Sequence, residues 1–96
     1  MAMNLSAMIN PGSFKANKKD PKKMLADFDL YMKFFSNFLM LKDNSDAIPA
    51  RRKAMLQAMR GPDMVFLFEY IGKVLEDVTY EIAIKTIRAG IGEHAN

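Results

Sequence analysis

A chain of 96 residues is long enough for one small domain, and it contains no cysteine and one histidine, which excludes disulfides, thiol catalysis and thiolate metal sites. Half of the residues are hydrophobic and 26% are charged, as is typical of a globular protein. No apolar run reaches the roughly 18 to 20 residues that span a bilayer, and the amino terminus lacks the basic start of a secretory signal. We therefore expect an intracellular, cytoplasmic protein without membrane contacts.

The net charge of +3 is distributed unevenly along the chain. Residues 1–23 hold five lysines and one aspartate, so the other 73 residues carry nine of the 14 basic and ten of the 11 acidic side chains. Residues 1–19 show neither helical nor strand periodicity and contain Pro11-Gly12, which predicts a flexible basic arm that docks locally through Phe14. The arm is either simply solvated or makes weak contacts with an acidic partner such as RNA. The candidate side chains for such contacts are Lys15, Lys18, Lys19, Lys22 and Lys23, with Arg51 and Arg52 further along the chain.

Asp20 followed by Pro21 predicts the start of a first helix, because the carboxylate can cap free amides and proline fits the first helical turn. This helix should extend to about Leu41. At 100° per residue its apolar positions cover roughly 220°, whereas a surface helix needs only about 100°, so the helix is either central to a bundle or partly in an interface. The expected inward row is Leu25, Phe28, Met32, Phe35 and Leu39, with Met24, Tyr31 and Phe38 beside it.

The outer part of the first helix supplies candidates for contact with another copy of the chain. Three apolar residues extend the arc beyond the inward row, and one methionine falls among polar residues. On the polar strip of the same helix, Asp29 and Lys33 have an i,i+4 spacing that predicts a salt bridge worth roughly 0.2 to 0.5 kcal/mol. The interface candidates are Leu30, Phe34, Met40 and Leu41.

A second helix follows the turn-forming segment KDNSD (42–46). Ser45 or Asp46 can cap this helix, which tolerates Pro49 in its first turn. The helix should end at Gly61, since glycine favours the left-handed position after a helix, and Met59 in its last turn is expected to face inward.

The basic residues of the second helix fan out around it, because consecutive helical residues point 100° apart. With Met55 inward, Arg51 and Arg52 flank the buried face, and Lys53 and Arg60 share the outer face. These basic residues either pair with the aspartates of the preceding turn or contact an acidic surface of a neighbouring copy. Lys53 and Arg60 therefore join the interface candidates.

A third helix is expected to follow closely, because Pro62-Asp63 can restart the chain in a new direction. Gly72 either ends this helix early or lies within it, and periodicity alone does not decide between the two. The residues at helical spacing that should face inward are Met64, Leu67, Phe68, Ile71 and Leu75.

A fourth helix is expected to start at Asp77 or Thr79 and to end near Gly90 and Gly92. Its inward row consists of Tyr80, Ala83, Ile84, Ile87 and Ile91. Four such segments with short connections predict an all-α fold, a small bundle of four to five helices over residues 20–96.

The sequence offers few groups for catalysis. No serine or threonine stands beside a recognisable base, and the acidic pairs fall at expected caps and loop ends. The glycines are dispersed and lack the spacing of a phosphate-binding loop. We therefore expect no enzyme activity, no cofactor and no metal ion.

Three stretches in their order along the chain resemble the Gag capsid region of gypsy-type long-terminal-repeat retrotransposons: INPGSFKANKKDPKKMLADFDLYMKFF, ARRKAMLQAMRGPDMVFLFEYIG and DVTYEIAIKTIRAGIGEHAN. Together they cover nearly the whole chain, and Met24 stands where that family usually has tryptophan. The matching positions are Pro11, Gly12 and Phe14 at the start, Met24, Phe28 and Tyr31 in the first helix, Lys53, Leu56 and Gly61 in the second, and Tyr80, Glu81, Ala83 and Asn96 at the end.

The resemblance implies a retroviral-type capsid amino-terminal domain. Such a domain is part of a longer polyprotein and self-associates through its first helices to build a virus-like particle in the cytoplasm. One alternative is a domesticated, Arc-like lobe that binds host peptides in an apolar groove. A second alternative is a small helical protein that binds nucleic acid through its lysine arm.

Overall fold

The computed structural model describes residues 10–42 and 48–95, with the backbone alone at Leu41 and Lys42. The described residues contain no strand, and the predicted all-α bundle is confirmed. Its helices are α1 (Pro21–Lys42), α2 (Pro49–Met59), α3 (Pro62–Phe66), which continues directly into a π-helical stretch called π1 here (Leu67–Ile71), and α4 (Tyr80–Ala95).

Helix α1 starts where the sequence predicts. The Asp20 carboxylate accepts a hydrogen bond from the Lys23 amide at 3.2 Å, and the Asp20 carbonyl accepts one from the Met24 amide at 2.9 Å. The first bond satisfies an amide of the first turn that has no backbone partner within the helix, and the second is the first i→i−4 bond of the helix. The inward face is close to the prediction but is centred slightly nearer Tyr31, which leaves Leu25 and Met32 half-buried. The residues of α1 in the core are Met24, Phe28, Tyr31, Phe35 and Leu39.

Helix α2 begins at Pro49, with Ile48 in the N-cap position and no side-chain hydrogen bond to the first turn. The expected caps Ser45 and Asp46 lie outside the described residues, and the N-cap position belongs to Ile48. Proline itself explains why the helix can begin there, because its fixed φ suits the first helical position and it has no amide to satisfy.

The end of α2 and the start of α3 follow the sequence signals. Gly61 has a φ of +90°, a region that favours glycine, and Pro62 begins the next helix. The third helical segment ends at Gly72, whose amide bonds the Leu67 carbonyl at 2.8 Å. Leu75 therefore lies beyond the helix and is 68% exposed, which corrects its predicted inward position.

Helix α4 is capped by Thr79, whose hydroxyl accepts a hydrogen bond from the Ile82 amide at 3.2 Å. The helix passes through Gly90 and Gly92 to Ala95, so the predicted termination at these glycines is wrong. Gly90 is buried at the place where α4 crosses π1, and its missing side chain permits close contact with Ile71. Because α4 packs against α1, α2 and π1, it is the helix around which the others assemble.

The described part of the expected basic arm lies against this bundle. Phe14 is only 3% exposed and makes edge-to-face contacts with Phe28 and Tyr31 at centroid distances of 6.0 and 5.4 Å. Its amide donates to the Arg60 carbonyl at 3.0 Å. Docking through Phe14 is thus confirmed, and most of the other residues between 10 and 19 remain exposed.

Candidate interaction surface

Lys53 faces the core instead of the outer surface that the sequence analysis assigned to it. Its side chain is buried, and its ammonium donates to the carbonyls of Glu76 and Val78 at 2.6 and 2.8 Å. A buried ammonium is costly unless hydrogen bonds replace its water, and these two carbonyls supply that replacement. Lys53 therefore attaches α2 to the loop that leads into α4, and it is not available to a neighbouring copy.

Arg60 is buried as well, contrary to the same prediction. Its guanidinium lies over the Phe35 and Phe38 rings, at 5.0 and 5.9 Å from their centroids. It donates to the Asn10 side-chain oxygen and, at 3.3 Å, to the Gly12 carbonyl, while its Nε has no hydrogen-bond partner among the described groups. Arg60 thus anchors the segment before α1 to the end of α2.

Tyr31 completes this anchor from the side of α1. Its hydroxyl donates to the Gly12 carbonyl, the same group that Arg60 contacts. Burial raises the pKa of Tyr31, and the nearby Arg60 charge opposes part of that effect. The NPGSF segment is consequently held by two polar side chains and by the buried Phe14 ring.

The inward face of α2 differs from the prediction, which placed Met55 and Met59 on it. Met59 is 69% exposed and Met55 is half-buried, whereas Leu56 is fully buried. The true inward row is therefore Lys53, Leu56 and Arg60, at i, i+3 and i+7. Long basic side chains can occupy such positions when their stems pack and their charged ends find acceptors or rings.

The two arginines at the start of α2 stay near the surface. Arg51 is exposed and Arg52 is half-buried, and each interacts with other groups of the chain. Arg52 also lies near enough to Tyr80 to oppose the rise in pKa that burial causes at that residue. The aspartates expected to pair with these arginines, Asp43 and Asp46, lie outside the described residues.

Helix α1 keeps two apolar side chains largely in solvent. Leu30 is 52% exposed and Met40 is 71% exposed, while Phe34 is half-buried and the side chain of Leu41 lies outside the description. At 100° per residue, Leu30 and Phe34 lie about 40° apart, whereas Met40 lies about 80° from Leu30 on the other side. The candidates therefore form a Leu30–Phe34 strip and a separate Met40 position.

The polar strip of α1 pairs with another helix instead of with itself. The Asp29 carboxylate accepts two hydrogen bonds from Arg88 of α4, at 2.7 and 3.0 Å, so the expected Asp29–Lys33 pair is wrong. These hydrogen bonds, together with the Asp29 charge, raise the pKa of Arg88. This exposed pair links α1 and α4 and carries a modest stabilisation of about 0.2 to 1 kcal/mol.

A groove at the start of α4 was not anticipated by the sequence analysis. It has a volume of about 730 Å³, and an adjoining cavity of about 560 Å³ shares Pro49, Thr79 and Tyr80 with it. Burial raises the pKa of Tyr80, so its phenol is neutral at ordinary pH. The mostly apolar walls can accept an apolar side chain of a partner. The groove is lined by Met32, Ser36, Pro49, Thr79, Tyr80, Glu81, Ile84 and Lys85.

The amino-terminal lysines are all exposed, and two of them have carboxylate partners. Lys18 lies 3.6 Å from the Asp63 carboxylate, and Lys23 lies 3.1 Å from that of Asp27. For Lys15, Lys19 and Lys22 the described residues supply no ion pair. The predicted basic character of this edge is therefore retained at the surface.

The described residues show no arrangement that would hold a metal ion from three or more histidine, aspartate or glutamate side chains. Within the same ranges, no helix combines the length and apolar character needed to cross a membrane. Comparisons with protein-family models, curated proteins and solved structures find no match for this chain. The surfaces of the chain and the resemblance of its sequence to Gag capsid regions are therefore the grounds for its proposed function.

Proposed function

We propose that the chain is a structural capsid domain that self-associates, as part of a Gag-like protein, into a virus-like particle. The observation that carries this proposal is the exposed apolar surface of α1, the Leu30–Phe34 strip and Met40. The all-α bundle is compatible with the resemblance, and the buried Phe14 gives the proline-glycine-aromatic start a structural role.

The magnitude of the exposed apolar surface fits weak, repeated contacts. Full burial of a leucine or methionine side chain is worth roughly 1.5 to 3 kcal/mol, so partly exposed Leu30 and Met40 can each add on the order of 1 kcal/mol when a partner covers them. One such contact gives a weak dimer at most. In a closed shell the same contact recurs around every subunit, and the assembly becomes stable through multivalency.

The proposed interface excludes two residues that the sequence analysis included. Lys53 and Arg60 are committed to hydrogen bonds and ring contacts inside the subunit. Without these two residues among the candidates, the main attraction across the proposed interface is apolar contact and not charge pairing. Its affinity should therefore change little with ionic strength.

The test is Leu30→Asp in the 96-residue chain, with sedimentation equilibrium from about 10 μM to 1 mM and electron microscopy for particles. We expect the unsubstituted chain to associate as concentration rises, and Leu30→Asp to weaken that association by about tenfold or more because a charge enters an apolar contact. Circular dichroism should show unchanged helical content. Leu30 is preferred to Phe34 for this purpose because Phe34 is half-buried.

Leu75→Asp is the matched control. It makes the same chemical change at a residue of similar exposure, 68%, outside α1. Association of this variant should equal that of the unsubstituted chain. A chain that stays monomeric over the whole concentration range, or an equal effect of both substitutions, would contradict the proposal.

A second candidate function, a peptide-binding lobe, is favoured by the groove beside Tyr80. The groove lies between α1 and the start of α4 and does not include Leu30 or Phe34. NMR titration with a short apolar peptide should then shift the resonances of Ile84 and Tyr80 in a chain that shows no self-association. Ile84→Arg should abolish the shifts of Tyr80, and their persistence would count against this function.

A further inference from the structure

An aromatic pair lies at the surface where α3 passes into π1. The rings of Phe66 and Tyr70 have a centroid distance of 5.8 Å and are tilted by 33°. Phe66 is half-buried against the core, whereas Tyr70 is 66% exposed. In the sequence, Tyr70 falls outside the predicted inward row of its helix. Nothing in the interior of the bundle requires an aromatic ring at this position.

The lysine-rich segment before α1 is held beside this aromatic pair. The Asp63 carboxylate accepts a hydrogen bond from the Ala16 amide at 2.8 Å, and it also attracts the Lys18 ammonium. That ammonium lies 4.7 Å from the centroid of the Phe66 ring, within the range of a cation–π interaction. Asp63 thus fixes residues 16–18 against the start of α3 and places positive charge next to the rings.

We propose that this edge binds single-stranded nucleic acid, with a base stacked on Tyr70 and backbone phosphates beside Lys15, Lys18 and Lys19. Aromatic rings next to lysines are the usual means by which proteins bind unpaired bases and the phosphates that join them. Within residues 15–19 and 62–71, which form this edge, the carboxylates are those of Asp63, which is already occupied by Ala16 and Lys18, and of Glu69, which is exposed. The same ranges hold three exposed lysines against these two carboxylates, so their net charge is 3 − 2 = +1.

This edge is separate from the surfaces used in the proposed function. It involves the segment before α1 and the α3–π1 junction, and it includes neither the Leu30–Phe34 strip nor the groove beside Tyr80. Nucleic-acid binding therefore does not depend on self-association. The two proposals can fail independently, because the substitutions that test them fall on different elements.

The experiment measures fluorescence anisotropy of labelled oligouridylate and oligothymidylate of about 12 nucleotides with the 96-residue chain, starting at about 50 mM salt. Tyr70→Leu keeps an apolar side chain but removes the ring, and it should weaken binding by about 5- to 150-fold. Tyr70→Phe keeps the ring and should bind within about twofold of the unsubstituted chain. Binding to either strand supports the proposal, and their ratio identifies the preferred nucleic acid.

The salt dependence tests the lysines. Contact with three phosphates predicts a slope of about −2 for the logarithm of the binding constant against the logarithm of salt concentration. Replacing Lys15, Lys18 and Lys19 by glutamine should bring the slope close to zero. The control Lys33→Gln changes an exposed lysine of α1, and it should leave both slope and affinity unchanged.

Three results would overturn the proposal. The first is no binding at about 50 mM salt, where phosphate contacts are strong. The second is equal affinity of Tyr70→Leu and the unsubstituted chain, which would show that no base stacks on the ring. The third is equal affinity for a duplex of the same length, because paired bases cannot stack on Tyr70 and phosphate attraction alone would then explain binding.

Discussion

The crossing of α4 over π1 supplies the sharpest prediction about the fold. A methyl group added at Gly90 would place its carbon 2.3 Å from the Ile71 carbonyl oxygen and 2.9 Å from the carbonyl carbon. Both atoms belong to the backbone, so no side-chain rotation can relieve the contact. Gly90→Ala must therefore separate α4 from π1 by about 1 Å or deform one of them.

The magnitude follows from two opposing effects. Alanine is favoured over glycine inside a helix by about 1 kcal/mol. Overpacking in a close-packed interior costs typically 1 to 3 kcal/mol, and a backbone contact this short belongs at the upper end of that range. The expected net loss in the free energy of unfolding is about 2 kcal/mol. For a domain of this size the melting temperature should fall by about 8 to 16 °C.

Gly92→Ala is the matched control in the same helix. Apart from the adjoining backbone of α4 itself, no described atom lies within 4 Å of the position where its added carbon would stand, so only the helix preference remains. We expect a gain of about 0.5 to 1 kcal/mol. Thermal and urea unfolding followed by circular dichroism would measure both variants. A Gly90→Ala variant at least as stable as the unsubstituted chain would refute the close crossing of α4 and π1.

Two further predictions concern polar groups of the core. Lys53→Met removes the ammonium that donates hydrogen bonds to two carbonyls of the 72–79 loop. Because these carbonyls then lose their partner, the free energy of unfolding measured with urea should fall by about 2 to 4 kcal/mol. Tyr31→Phe removes a phenol whose pKa burial raises above the ordinary 10.0, so stability measured from about pH 9 to 12 should decline less steeply in this variant.

The direction of the Tyr31→Phe effect follows from how tightly the folded and unfolded chains hold the phenol proton. Because the folded chain holds the Tyr31 proton more tightly, this stabilisation is fully present below the unfolded pKa of 10.0 and is lost as pH rises through the folded pKa. Identical alkaline slopes in both chains would contradict it. For Lys53, the control is Lys85→Met at an exposed ion pair, with an expected change below about 0.5 kcal/mol. An equally small effect of Lys53→Met would show that its two hydrogen bonds add little.

The helix starts could be predicted because each depends on a few neighbouring residues. Asp20 and Thr79 accept hydrogen bonds from amides within three residues of themselves, and such local chemistry is legible in the sequence. Gly61 ended α2 as predicted for the same reason. The N-cap at Ile48 was missed because proline can begin a helix without a capping side chain.

The candidate surface was predicted only in part. Leu30 and Met40 are exposed as the wheel of the long helix α1 indicates, since 22 residues define its inward face well. Helix α2 has only 11 residues, with basic and apolar side chains on every side. In α2 the inward row depended on which groups pack against the helix. Lys53 and Arg60 face inward because carbonyls and aromatic rings from distant parts of the sequence interact with them.

The all-α class, the positions where α1 and α3 begin and the apolar face of α1 could be inferred from the sequence, because these follow from local hydrogen bonding and from 3.6-residue periodicity. For α4 the sequence left two starts, Asp77 and Thr79, and the structure has Thr79. Tertiary structure alone decided that Gly90 lies inside a helix, that two cations are buried, and that the Tyr70 edge and the groove beside Tyr80 exist. Each of these features joins residues from separate elements. Burial, close approach and hydrogen-bond partners across such distances are properties of the packed chain, and no single segment contains them.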